Sequence, residues 1–198
     1  MGKYQIILAD PPWPYADKGI RGGVKKHYGT KLSMGDFEML RIGDLAAENC
    51  AMFLWVTGPF MLEGIRLLGK WGFTYKNISF VWVKKNTKSD SLFWGTGHYT
   101  RANAEYVLFG IKGKMKRESA GVHSIIMSPV GRHSSKPIEL YDKIDALFGD
   151  VPRLELFARN EKEGWDQTGL EYDGKDVREY IRETISSRMG IGVLKRRT

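Results

Sequence analysis

Apolar and polar positions alternate in short blocks along this 198-residue chain, and each block has the length of a strand or a helix. Apolar runs bounded by Gly, Pro or polar residues predict buried strands at 4–9, 51–56, 75–84, 105–113, 153–158 and, shorter, 123–129. Helical spacing predicts helices at 33–46, 59–72, 136–149 and from 175 into the C-terminal tail. Strands that alternate with helices favour an α/β fold, with a mostly parallel sheet and helices on both faces.

Residues with special backbone preferences mark the ends of these helices. Ser33 is a candidate N-cap, because its hydroxyl can accept a hydrogen bond from the first turn. Pro59 and Pro137 fall in first turns, where the missing amide costs nothing, and Gly72 and Gly149 fall at the ends. These helix-boundary residues therefore agree with the helices that the hydrophobic pattern predicts.

Two long polar loops interrupt the regular elements, at 10–32 and 85–104. Loops of this length in compact domains usually carry function. The formal net charge is +8, and basic residues cluster at 18–26, 83–88, 112–117 and 195–197. Three of these clusters fall between periodic segments, so an anionic partner, most often a nucleic acid, is favoured.

The first strand ends on an acid in the stretch IILADPPWPY. Ligands of open α/β sheets bind beyond the carboxyl ends of the strands, which is where Asp10 falls. Pro11 and Pro12 fix the following backbone and leave carbonyls without paired donors, while the ring of Trp13 could stack on a planar heterocycle. The alternative is a purely structural role, in which the segment forms a rigid turn with Trp13 packed on the surface.

A carboxylate and a carbonyl together could accept both hydrogens of one exocyclic amine. Such an amine is a poor nucleophile, because its lone pair is delocalised into the ring. Two acceptors favour the pyramidal geometry that frees the lone pair, and so stabilise the transition state more than the ground state. Asp10 need not be a strong base, since the amine becomes acidic once alkylated.

The order (D/N/S)PP(Y/F/W) after a strand is the signature of amino-methyltransferases, and ADPPW resembles the adenine-N6 family. That family includes the eukaryotic messenger-RNA adenosine methyltransferase and its bacterial and phage relatives. Further stretches of similarity follow in order over roughly residues 4–174: HYGTKLSMGDFEML, AMFLWVTG, FVWVKKN, GTGHYTRANAEYVLFGIKG, HSSKPIELYDKI and RLELFARNEKEGWDQTGLEYDG. The resemblance implies a Rossmann-like methyltransferase fold and S-adenosylmethionine as the cofactor.

The resemblance also implies roles for individual residues. The segment Asp10–Trp13 would hold the target amine, and Asp10 would also contact the cofactor. The remaining cofactor residues implied are Lys136, Phe157, Arg159, Asn160 and Glu171. Relative to the family's pattern, one residue is missing between Arg159 and Asn160, which are adjacent in this chain.

Several residues are candidates for contact with the substrate, namely Tyr28, Trp82, Lys84 and His98. Trp55 and Trp82 lie in apolar strands, so core packing competes with a role in lining the site. No histidine has metal-ligand spacing with a carboxylate, so no metal is expected. The substrate is expected to be nucleic acid, with DNA favoured over RNA because no RNA-binding module is recognisable. A non-catalytic partner subunit is the alternative from another class.

Domain organisation and location follow from composition. We expect a methyltransferase domain at 1–174 and a basic helical tail at 175–198, in a homodimer. The tail helix could pack on the domain or mediate pairing. There is no apolar run of membrane-spanning length and no signal-peptide pattern, and the single cysteine, Cys50, excludes a disulfide framework. A cytoplasmic protein with Cys50 buried is the expectation.

Overall fold

The computed structural model describes residues 2–15, 32–97, 99–131 and 135–188. Within these ranges, seven strands form one sheet and four α-helices pack against it. The strands are β1 (Tyr4–Ala9), β2 (Ala46–Val56), β3 (Thr74–Lys85), β4 (Ala104–Lys112), β5 (Ile125–Pro129), β6 (Arg153–Leu156) and β7 (Asp166–Thr168). The helices are α1 (Met34–Glu38), α2 (Met61–Lys70), α3 (Glu139–Phe148) and α4 (Val177–Arg188).

The sheet has the strand order β5-β3-β4-β2-β1-β6-β7 and is mixed. Its pairs β1–β2, β1–β6, β6–β7 and β3–β5 are parallel, which confirms the predicted mostly parallel sheet. Strand β4 is the exception among the described strands, because it runs antiparallel to both β2 and β3. The described residues of the segment that joins β3 to β4, 86–97 and 99–103, contain no crossover helix, and β4 pairs with β3 in the opposite direction.

Strand direction decides which side chains meet at the functional edge of the sheet. The parallel strands bring their carboxyl ends to one edge, where β1 is followed by Asp10 and β3 ends in Lys84 and Lys85. Because β4 is antiparallel, it begins at that same edge, and Glu105 is its second residue. A single edge therefore collects residues from the ends of most strands and from the start of β4.

The core lies on both faces of the sheet, as the continuous apolar strands predict. Strand β1 sits between β2 and β6, and Ile7 packs on one face while Leu8 packs on the other. Leu67 of α2 and Ile181 of α4 belong to the first core, and Ile144 of α3 belongs to the second. Each of these buried side chains contributes about 1.5–3 kcal/mol to folding.

Several boundaries differ from the sequence-based prediction. The helix predicted at 33–46 ends at Glu38, and β2 begins at Ala46 instead of residue 51. Ser33 does cap α1, since its hydroxyl accepts the Asp36 amide while the Asp36 carboxylate accepts the Ser33 amide. The prediction omitted β7, because its three residues, Asp166–Thr168, lack an apolar pattern.

The C-terminal helix packs on the domain, which is one of the two possibilities that the sequence leaves open for it. Val177 and Ile181 of α4 are buried, and the Tyr180 hydroxyl lies 2.9 Å from that of Tyr4 on β1. Cys50 is buried as expected, and burial raises the pKa of its thiol to about 12. No helix within the described ranges has both the length and the apolar character needed to cross a membrane. The division at residue 174 stays a prediction.

Candidate active site

Asp10 lies at the centre of the functional edge, directly after β1. Its backbone amide donates to the carbonyl of Leu156 on β6 at 3.4 Å, which continues the parallel pairing by one residue. Only 9% of the residue is exposed. A buried carboxylate needs partners, and these come from distant parts of the chain.

A chain of ion pairs surrounds Asp10. The Lys136 ammonium is 2.8 Å from Asp10 Oδ2 and 3.2 Å from Glu105 Oε2. The other oxygen of Glu105 is paired with Lys84, and the Arg159 guanidinium approaches Asp10 Oδ2 at 3.6 Å. All five side chains are largely buried. Lys136 therefore links the two carboxylates.

The charges in this chain are mutually stabilised. Burial alone would raise the pKa of Glu105, but Lys136 and Lys84 outweigh burial and hold the pKa below its usual range. Burial would likewise lower the pKa of Lys136, but Asp10 and Glu105 raise it above its usual value. Both groups are charged at neutral pH, so the cleft presents a fixed pattern of positive and negative charge.

Two tryptophans lie beneath the cations. The ammonium of Lys136 is 5.3 Å from the centre of the Trp55 ring, and that of Lys84 is 4.9 Å from the centre of the Trp82 ring. The two rings meet edge to face at 6.2 Å. Trp55 lines the main cleft, whereas Trp82 is fully buried beneath Lys84 and is not among the residues that line it.

Trp13 is held rigidly rather than displayed. Its indole nitrogen donates to the Trp55 carbonyl at 3.0 Å, and its ring stacks on Phe60 with centroids 5.1 Å apart. Phe37 contacts it edge-on at 6.1 Å, and 5% of Trp13 is exposed. Trp13 lines the cleft, but Phe60 already stacks on its ring.

The main cleft has a volume of about 270 Å³. It is lined by Asp10, Pro11, Pro12, Trp13, Tyr15, Trp55, Val56, Thr57, Glu105, Lys136 and Arg159. The exposed Tyr15 is fixed by a 2.5 Å hydrogen bond between its hydroxyl and Thr57 Oγ1. The cleft thus combines aromatic walls with a few charged groups, as sites for planar polar ligands do.

A second, narrower cleft of about 30 Å³ lies on the β6 side of Asp10. It is lined by Asp10, Pro12, Leu32, Phe157, Ala158, Arg159, Gly169, Leu170, Glu171, Asp176 and Val177. The two clefts share Asp10, Pro12 and Arg159. Asp10 therefore stands at the boundary between two binding spaces.

A strained turn shapes the second cleft. Phe157 follows β6 with φ +63°, the only positive φ of a non-glycine residue in the described part of the chain. Gly169 packs so closely that a Cβ there would lie 2.4 Å from the Ala158 carbonyl oxygen. The Ala158 amide donates to the Thr168 carbonyl at 2.9 Å, which holds this turn against β7. Strain of this kind is typical of ligand sites.

The predicted site residues fall into three groups. The main cleft brings together Asp10, Pro11, Pro12, Trp13, Lys136 and Arg159, while Phe157 and Glu171 line the second cleft. Lys84 and Trp82 lie behind the main cleft. The chain bends at Asn160, which is exposed and lines neither cleft. Tyr28 and His98 lie outside the described residues, as do His27 and His133.

Sequence reasoning did not single out Glu105 or Tyr15. Glu105 has a recognisable signal, since it is a carboxylate at the start of an apolar strand, as Asp10 is a carboxylate at the end of one. That signal becomes meaningful only when β4 is known to be antiparallel. Within the part of the chain that the structure describes, no cluster of His, Cys, Asp and Glu is arranged to hold a metal ion.

Comparison with known proteins identifies the family. The MT-A70 family model matches residues 4–171, which include both clefts except for Asp176 and Val177. The chain belongs to the MT-A70 family. This confirms the family predicted from the sequence, its methyltransferase fold and its enzyme class.

Several known methyltransferases are similar to this chain. The type II methyltransferase M.MunI of Mycoplasma sp is 35% identical over 189 residues, covering 85% of this chain and 78% of that protein. An MT-A70-like putative N(6)-adenosine-methyltransferase of Medicago truncatula is 34% identical, covering 88% and 27%. The catalytic subunit METTL3 of the Homo sapiens N(6)-adenosine-methyltransferase is 32% identical, covering 88% and 29%. The chain therefore spans less than a third of these two eukaryotic relatives.

Proposed function

We propose that this MT-A70 protein transfers a methyl group from S-adenosylmethionine to the N6 amino group of adenine in nucleic acid, with DNA as the preferred substrate. The observation that carries the proposal is the position of Asp10 on a proline-stiffened turn between two clefts. One cleft would hold the cofactor and the other the base.

The residues of the second cleft, together with Lys136 of the main cleft, fit the cofactor's functional groups. S-adenosylmethionine supplies an electrophilic methyl group on a sulfonium. Asp10 is a suitable acceptor for the α-ammonium, and Lys136 and Arg159 are suitable cations for the α-carboxylate. Glu171 offers acceptors for the ribose hydroxyls, and Phe157 offers an apolar surface. The roles of these five residues are part of the proposal.

The main cleft suits a planar base with one amino group. Trp55 and Tyr15 would line its faces. The Trp13 carbonyl accepts the Tyr15 amide at 3.0 Å, so the Pro11 and Pro12 carbonyls are the candidate partners for Asp10 in holding the amine. The base would reach this cleft unstacked or flipped out of a duplex.

Asp10 and a proline carbonyl would accept one hydrogen each from the adenine amine. This arrangement favours a pyramidal nitrogen whose lone pair attacks the methyl carbon, so that the N–C bond forms as the S–C bond breaks. The alkylated nitrogen then loses a proton to Asp10 or to water. Aligned acceptors of this kind typically contribute about 100-fold or more to the rate.

The loop between β3 and β4 supports contact with a nucleic acid strand. Trp94 is 72% exposed, and the Arg101 guanidinium is 4.6 Å from its ring centre. Tyr99 is fully exposed in the same loop, and Lys85 and Lys88 lie near its start. Exposed aromatics interleaved with cations form stacking platforms for unpaired bases. We propose that Lys84 acts behind this surface by fixing Glu105.

DNA is proposed as the substrate because of a relative that this chain matches over most of that protein's length. That relative is named a type II methyltransferase, whereas the proteins named N(6)-adenosine-methyltransferases are matched over less than a third of their length.

We also propose a cytoplasmic location and a homodimer in which one subunit extends the other's nucleic-acid groove. Light scattering during size-exclusion chromatography tests the dimer, and a monomer that retains full activity on dilution would contradict it.

The test of substrate class is methyl transfer from labelled cofactor to single-stranded DNA, duplex DNA and RNA of matched sequence. Digestion to nucleosides then identifies the methylated position. We expect N6-methyldeoxyadenosine as the main product. Faster methylation of the RNA would overturn the preference for DNA, and methylation of a different base would overturn the proposal as a whole.

A further inference from the structure

The segment 157–165 joins two adjacent parallel strands, β6 and β7, without a regular helix. It carries Phe157 and Arg159, which line the second cleft. Backbone bonds satisfy some of its groups, since the Ala158 amide donates to the Thr168 carbonyl and the Trp165 amide donates to the Lys162 carbonyl. Other backbone groups of the segment need side-chain partners. The partner that the structure provides is Gln167 of β7.

Gln167 makes three hydrogen bonds at the base of this segment. Its Oε1 accepts the Lys162 amide at 2.6 Å, and its Nε2 donates to the Asn160 carbonyl at 2.8 Å. The same Nε2 donates to Glu155 Oε2 at 2.5 Å. One side-chain amide thus bonds to the backbone at positions 160 and 162, shortly after Arg159.

Glu155 fixes the orientation of Gln167. The two residues are direct cross-strand neighbours on β6 and β7. Glu155 is buried, and the Tyr141 hydroxyl of α3 lies 3.0 Å from each of its carboxylate oxygens. With Tyr141 on one side, the carboxylate accepts from the amide nitrogen of Gln167 on the other. The Gln167 oxygen is therefore the atom directed at Lys162.

We propose that Gln167, oriented by Glu155, is a positioning residue that sets the turn carrying Arg159 and thereby the affinity of the cofactor cleft. This inference rests on the proposed function. Gln167 lines neither cleft, and its side chain bonds to Glu155, Asn160 and Lys162, so its effect passes through the backbone at 160–162. A change there would weaken cofactor binding and leave the chemical step nearly unchanged.

The decisive variant is Gln167→Met, which keeps the side-chain length and removes all three hydrogen bonds. We expect S-adenosylmethionine affinity, measured by calorimetry, to fall about 10-fold, a typical effect for supporting residues. The kcat at saturating cofactor should stay within about threefold, and amide exchange at Lys162 should accelerate without cofactor. The control is Ser79→Ala, which removes a 3.1 Å bond to the Val107 carbonyl in β4 and should change none of these quantities.

A reciprocal exchange separates positioning from a general loss of stability. Gln167→Glu alone places two carboxylates together and should weaken cofactor binding. Adding Glu155→Gln restores the cross-strand bond and the acceptor for Lys162, so affinity should recover to within about threefold of the wild type. Unchanged affinity in Gln167→Met, or no recovery in the double variant, would overturn the inference. Failure of the wild type itself to bind the cofactor would instead contradict the proposed function.

Discussion

The Lys136 ammonium contacts Asp10 Oδ2 at 2.8 Å although the two residues are 126 positions apart in the chain. Asp10 follows the central strand β1, and Lys136 precedes α3 on the second face of the sheet. The same ammonium also reaches Glu105. The contact therefore links the proposed catalytic carboxylate to the start of β4 and to the segment that precedes α3.

Removal of the Lys136 charge should destabilise the protein. In Lys136→Met, Asp10 and Glu105 remain buried with Lys84 and Arg159 as their charged partners, and loss of one member of a buried pair costs about 3–5 kcal/mol. We expect the free energy of unfolding in urea to fall by an amount in this range. Adding Glu105→Gln should recover part of the loss, and a double variant no more stable than Lys136→Met would contradict the assigned coupling.

The buried Glu155 predicts a pH dependence of stability. Burial raises the pKa of its carboxyl from 4.5 to about 7, although hydrogen bonds from Gln167 and Tyr141 oppose this shift. Because the folded-state pKa is the higher one, the folded protein binds more protons between these values. The stabilisation by the proton is complete below pH 4.5 and is lost as the pH rises towards 7, by roughly 3 kcal/mol.

Glu155→Gln isolates this contribution, because the amide does not ionise. Between pH 5 and pH 8, the wild type should lose unfolding free energy relative to the variant. Urea titrations of both proteins at each pH give the difference directly, and other titrating groups cancel in it. Parallel pH profiles of the two proteins would show that Glu155 ionises as easily in the folded state as in the unfolded one.

Trp94 and Arg101 should affect nucleic-acid binding in different ways. Trp94→Ala should weaken binding to single-stranded DNA by roughly 1–3 kcal/mol and leave the salt dependence unchanged, because stacking carries no charge. Arg101→Ala should also lower the slope of log affinity against log salt, by about 0.7 for a single-strand phosphate contact. Fluorescence anisotropy over a salt series measures both quantities. If neither variant changes them, the loop is not part of the binding surface.

Much of the fold is predictable from the sequence, because β1, β3, β4 and α2 are long, strongly patterned segments. The direction of β4 was not predictable in the same way. Its apolar run fits either orientation, and only the pairing with β2 and β3 makes it antiparallel. The three residues of β7 carry too few side chains for a pattern, so their strand character comes from pairing with β6.

The site was predictable where a local motif carries the chemistry. The local motif singles out the segment Asp10–Trp13, and the family resemblance implies Lys136. The two meet in one cleft. Glu105 was missed because its role depends on long-range pairing, and the buried packing of Trp13 on Phe60 is a tertiary contact that the motif does not reveal. The resemblance of ELFARN to the family implies a cofactor role for Asn160, but Asn160 lines neither cleft.

The central claim is that Asp10 holds the adenine amine for methyl transfer. The most direct measurement compares transfer of labelled methyl groups by the wild type and by Asp10→Asn, with Asp44→Asn, which lies before β2 and is paired with Arg41, as the matched control. We predict that the wild type and the control form N6-methyladenine, and that Asp10→Asn is at least about 100-fold slower. Its cofactor affinity should fall far less than its rate, because Lys136 and Arg159 would still hold the α-carboxylate. Wild-type rates in Asp10→Asn, or a loss of activity fully matched by a loss of cofactor affinity, would contradict the claim.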